Sequence, residues 1–197
     1  MKSVVALLSL ALLLAGCESA MQAEVTQFSG AAPLPAGRNF VVSAEPPQSG
    51  SLEFQHYAGL VGGALQDHGF KAAAPGVNAD LVVLIHYGSA GNHTELLPDP
   101  AWGWGGWGHR HGAPFGPDAE SRTYYGEMLE VEIFDGAAWR SNVRTMLYQG
   151  RAVGDATVNE ISAAVPPLVT ALFTHFPGNS GQTERVLVPL PAPAGAR

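Results

Sequence analysis

Asp80-Leu-Val-Val-Leu-Ile-His-Tyr87 is an almost unbroken apolar run of strand length. Its shortness and its β-branched content select a strand, and the lack of alternation predicts burial on both faces. Such a strand needs neighbours, and candidates lie on either side. In residues 123–134, Tyr125, Leu129, Val131 and Ile133 share one parity while Glu130 and Glu132 share the other, the pattern of a strand with one wet face. Asp135-Gly136 marks a turn, and residues 144–153 read as the returning strand of a hairpin. Upstream, Asn39-Phe-Val-Val-Ser43 reads as a first strand.

Helical periodicity fills two of the gaps. Ser51 is a candidate N-cap, and Glu53 sits in the first turn where the dipole favours it. Behind it Phe54, Tyr57, Ala58, Val61, Leu65 and His68 recur at helical spacing until Gly69. Val158, Ile161, Val165, Leu168, Leu172 and Phe176 repeat the pattern over residues 157–176, where Pro166 and Pro167 predict a kink or a break. The order of elements predicts an α+β domain with a mainly antiparallel sheet and two helices packed on one face. A long Gly/Trp-rich loop, residues 88–122, is inserted between strands. The domain is expected at residues 38–178. Residues 179–197 form a Pro/Ala-rich tail with room for a short strand at 185–188.

The amino terminus predicts export. Met1-Lys2-Ser3 supplies a basic start, residues 4–14 an apolar run, and Ala15-Gly16 small residues at a cut site. The run is shorter than the roughly 20 apolar residues that cross a bilayer. Leu14-Ala15-Gly16-Cys17 resembles the lipobox of bacterial lipoproteins, in which the cysteine thiol receives a diacylglyceryl group. On that resemblance residues 1–16 are a signal peptide, Cys17 is the lipidation site and residues 17–37 are a lipidated linker. Cys17 is the sole cysteine, so no disulfide forms within the chain. Two or more acyl chains anchor a protein stably where one does not. Glu18 stands where an inner-membrane retention signal would carry aspartate, which points to the periplasmic face of an outer membrane.

Composition narrows the function classes. At 46% hydrophobic and 14% charged, the chain can build a sizeable core. A formal net charge of −7 opposes nucleic-acid binding, which needs a basic stripe.

Six short stretches carry a family resemblance. They are Phe54-Gln-His-Tyr57, Gln66-Asp-His-Gly-Phe70, Ala79-Asp-Leu-Val-Val83, Gly126-Glu-Met-Leu-Glu-Val131, Tyr148-Gln-Gly-Arg-Ala152 and Thr174-His-Phe-Pro177. In this order and spacing the chain resembles the domain of unknown function 4136 family of bacterial envelope lipoproteins, over roughly residues 38–178. Tyr148 departs from the tryptophan more often found there, and the turn at residues 135–142 is longer than usual. The resemblance implies a location and a fold, and no established activity or site.

The compositional anomaly is Trp102-Gly-Trp104-Gly-Gly-Trp107-Gly-His109-Arg-His111. Glycine alternating with tryptophan opposes a helix. Three readings stay open: a low-complexity insertion, a surface whose rings stack on a ligand or settle at a membrane interface, and a metal site built on His109 and His111. His86 and His93 lie upstream, but no zinc-type spacing is present. No nucleophile elbow, phosphate loop or dinucleotide fingerprint occurs. The carboxylates Asp80, Glu127, Glu130, Asp135 and Glu160 are scattered, as solvated or capping acids are. The expectation is a non-enzymatic envelope lipoprotein with no cofactor, a binding or assembly module for an envelope protein or a glycan. The alternative is a periplasmic metal-binding protein.

Overall fold

Alternation in the chain's first described residues sets the frame of the sheet. In the computed structural model, which describes residues 19–30, 34, 37–46, 48, 50–97, 120–156 and 160–190, Met21, Ala23, Val25 and Gln27 are buried while Gln22, Glu24 and Phe28 are exposed. They belong to β1, Ala20–Ser29. The elements that follow are β2 (Asn39–Val42), α1 (Leu52–Asp67), β3 (Lys71–Ala72), β4 (Leu81–Leu97), β5 (Glu120–Asp135), α2 (Gly136–Arg140), β6 (Met146–Ala156), α3 (Ile161–Thr174) and β7 (Thr183–Pro189). The strands form one sheet in the order β3-β2-β4-β5-β6-β1-β7.

The expected α+β arrangement, a mainly antiparallel sheet with two helices, is corrected here. The sheet is mixed, because β2 pairs in parallel with both β3 and β4. Parallel neighbours need a crossover, and α1 supplies it between β2 and β3. Among the described residues there are three helices. Phe54, Tyr57, Val61 and Leu65 of α1 and Val165, Leu168 and Leu172 of α3 join the main core on one face of the sheet. The short α2 lies against the other face, where Trp139 packs on Val82, Leu84 and Phe134.

Three segment boundaries shift as well. The stretch read as a linker, residues 17–37, contains β1, an interior strand paired with β6 and β7. The loop read over residues 88–122 is partly strand, since β4 runs to Leu97 and β5 starts at Glu120. The tail holds β7, which is longer than the short strand expected there. Asp135-Gly136 opens α2 instead of a tight turn, with the Asp135 carboxylate accepting from Ala138 N at 2.9 Å. The Ala138 N–H, with that of Ala137, donates to the Asp135 carboxylate and holds its pKa below the ordinary value, helped by Arg38 at 3.5 Å.

Local signals explain the helices. Ser51 Oγ accepts from Phe54 N at 3.3 Å and caps α1. Gly69 follows the C-cap with φ +87°, the left-handed conformation that ends helices. Ser51→Ala is expected to cost about 1 kcal/mol, read as a lower denaturation midpoint at unchanged slope. Helix α3 runs through Pro166 and Pro167 without a break. The prolines cannot bond the carbonyls four residues earlier, and those belong to the exposed Ser162 and Ala163, which water can satisfy.

Candidate functional site

The β4–β5 pair outruns the rest of the sheet. β6 pairs with β5 as far as Tyr125↔Ala156, and β2 pairs with β4 only from Leu81 to Val83. Five further pairs, His93↔Tyr124 to Leu97↔Glu120, continue with no third strand among the described residues. That ribbon reaches about 17 Å beyond β6 at 3.4 Å per residue. A bulge between Ser89 and Gly91 lies just inside its root, where β5 still pairs with β6. Gly91 adopts φ +115°, which a side chain would resist. The bulge sits against Gly126, where an added Cβ would lie 3.4 Å from Gly91 O.

The start of β1 lies at the same end. Ala23 opposes Gly154, which opposes Glu127, so Ala20 is level with Tyr124 at the root of the ribbon. Pro189 of β7 pairs with Ala20, and Leu190 N bonds Ser19 O at 2.7 Å. Cys17, three residues before Ala20, lies outside the described residues, as do Trp102, Trp104, Trp107, His109 and His111. The chain that carries the tryptophans and the two histidines therefore departs from Leu97 and returns at Glu120, both at this end.

The carboxylates singled out in the sequence, Glu127 aside, have separate partners. Asp80 accepts from Asn39 N, Asp135 caps α2 and Glu160 accepts from Ser162 Oγ. Glu130 accepts from Gln149 Nε2 at 2.6 Å, and Glu132 lies 3.6 Å from His86 on the sheet face away from α1 and α3. Among the described residues no group of three or more His, Cys, Asp or Glu is placed to hold a metal.

Glu127 is different. It is 1% exposed, and its Oε1 has no hydrogen-bond partner among the described residues. Burial pushes its pKa up. Its odd number, in step with Leu129, Val131 and Ile133, puts it on the core face at the root of the ribbon. Parity was the signal, and reading the acid by its residue type alone missed it. Gln27 was missed in the same way. It is buried in β1, accepts from Tyr148 Oη at 3.1 Å and reaches Leu172 O at 3.4 Å. Tyr57 also titrates abnormally: burial and its hydrogen bond to Glu53 push its pKa up to about 12.

A shallow groove of about 560 Å³ separates α1 from α3. Leu60, Ala64, Val169 and Phe173 line it together with His68, whose Nε2 lies 3.0 Å from Phe173 O.

A profile described as Domain of unknown function (DUF4136) matches residues 24–178, from the middle of β1 to just past α3. The chain belongs to this family. The DUF4136 match starts inside β1, upstream of the boundary expected from the motifs, because β1 is part of the sheet. No curated protein matches the chain. Among solved structures, a PDZ domain protein from Parabacteroides distasonis is similar with TM-score 0.49 and 9% identity, over 90% of this chain. The chain spans 41% of that protein's length. A PelC dodecamer from Paraburkholderia phytofirmans is similar with TM-score 0.40 and 16% identity, over 77% of this chain and 96% of that one. A second PelC dodecamer from the same organism gives TM-score 0.40 and 14% identity, over 77% and 95%. None of these likenesses assigns an activity.

Proposed function

We propose that this DUF4136 protein is a lipid-anchored envelope lipoprotein whose domain is a non-enzymatic binding or assembly module. The observation that carries the reading is positional. The lipobox-like Leu14-Ala15-Gly16-Cys17 ends three residues before the interior strand β1. Three residues span at most about 10 Å, so lipid on Cys17 would hold the ribbon end of the sheet beside a bilayer. The stretch bearing Trp102, Trp104 and Trp107 is rooted at that end, which suits tryptophan's preference for an interface or a stacked ligand. The outer edge of β7, unpaired among the described strands, offers a second contact surface for an envelope protein, with Leu187 69% exposed beside it. The membrane of residence in this reading is the outer membrane, on its periplasmic side.

Mass spectrometry of the protein from its native cells tests the reading. The expected amino terminus is Cys17 carrying two or more acyl chains. Cys17→Ala should leave an uncut, unacylated precursor. An unmodified Cys17 in the wild-type protein would overturn the anchor. Deleting residues 102–111 while keeping the anchor should abolish crosslinking to a defined envelope component if that stretch is the contact.

A further inference from the structure

Resting on the lipid reading of Cys17, we infer that the β4–β5 ribbon, residues 92–97 and 120–125, is the second point at which the domain meets the bilayer. The domain then stands with its strands roughly upright on the membrane. The argument is one of levels. Ala20 is level with Tyr124, and Glu120 lies four positions further out, about 14 Å. The three residues from Cys17 to Ala20 cover about 10 Å when extended. Continued along the line of β1, a lipid-bearing Cys17 would reach nearly the height of the ribbon tip, and one plane would hold both. A single tether leaves a domain free to tumble, whereas two separated contacts fix its orientation.

The ribbon also has a physical need for a neighbour. Two strands without a third are marginal in water. Past Val83, β4 has no outer partner, and past Tyr125, β5 has none except β4 among the described residues. A headgroup layer can hydrogen-bond such free edges, which the hydrocarbon interior cannot. The ribbon therefore rests in the headgroup zone and does not cross. The bulge at Ser89 and Gly91 lies just inside the ribbon's root, and a bulge bends and twists the strand that carries it. The opposite end of the sheet, with β3 and residues 71–78, faces away from the lipid.

Amide hydrogen exchange tests this on residues 17–197, which contain every described element. The protein is coupled through the Cys17 thiol to maleimide lipid in phosphatidylethanolamine–phosphatidylglycerol vesicles and compared with the uncoupled protein. Residues 92–97 and 120–125 should exchange at least about ten-fold more slowly on the vesicles, with residues 71–78 unchanged. Unchanged exchange in the ribbon, or protection centred on residues 71–78, would overturn the inference. A Cys17→Ser, Lys71→Cys protein coupled at the far end should lose the ribbon's protection, and its persistence would show that the height match plays no part. The synthetic tether separates the two ideas. An unmodified Cys17 in native cells removes the lipid reading, whereas an unprotected ribbon on coupled vesicles removes the orientation alone.

Discussion

A protein lacking residues 18–29 should fail to fold, although the composition of that stretch suggests a dispensable linker. The deletion removes β1 from the interior of the sheet. The buried side chains of Met21 and Val25 go with it, and β7, whose only described partner is β1, loses its seat together with Val186 and Val188. At about 2 kcal/mol for each of these four side chains, the loss is about 8 kcal/mol. That is comparable with the whole stability of a domain, about 5–15 kcal/mol. One buried polar group is stranded as well, because Tyr148 Oη loses its bond to Gln27. The far-ultraviolet spectrum and a denaturant titration provide the measurement. A cooperative transition with the wild-type midpoint would show that β1 contributes little. A matched deletion of residues 191–197, beyond the last described strand, should leave the midpoint within about 0.5 kcal/mol.

That contrast shows which parts of the fold were legible. Where apolar residues are large, the elements stood out: the unbroken run Leu81 to Ile85 marked β4, and the helical spacing of Val61 and Leu65 marked α1. β1 hid because its core-facing positions are Met21, Ala23, Val25 and Gln27, one of them polar and one very small, so residue type drowned the parity. The parallel pairing of β2 was not legible either. It depends on α1 returning the chain to β3, and a strand's own sequence carries no mark of its neighbour's direction. The extension of β4 and β5 into the supposed loop was hidden by Gly88, Gly91 and Gly126. Glycine usually marks a turn, but two of these surround a bulge inside a continuous pair. Of the candidate site, the motif at Cys17 and the Trp/His stretch were visible as sequence. Their convergence on one end of the sheet needed the register of β1, β6, β5 and β4.

The pH dependence of stability should carry the signature of Glu127. Its carboxyl is buried by the core at the ribbon root, one oxygen lacks a partner among the described residues, and desolvation raises its pKa. In the window between the ordinary carboxylate pKa and the raised one, the folded chain keeps a proton that the unfolded chain has released. The unfolding free energy therefore falls as pH rises through that window, and this contribution is fully present only below it. Glu127→Gln removes the ionisation, so the difference between wild type and variant should grow in the variant's favour with rising pH and then level off. Asp135 works in the other direction, since its lowered pKa favours the fold above the ordinary value and is lost on acidification. The difference between the two proteins cancels it. Glu127→Met goes further, because it replaces the unsatisfied polar group with an apolar chain of similar size. At neutral pH it should gain about 1–3 kcal/mol, each about 2–4 °C in melting temperature. A Gln variant with the wild-type slope would mean that Glu127 is paired or wetted in solution. A Met variant that melts lower would give the acid a role in holding the ribbon, where Ser89 and Gly154 oppose it across the sheet.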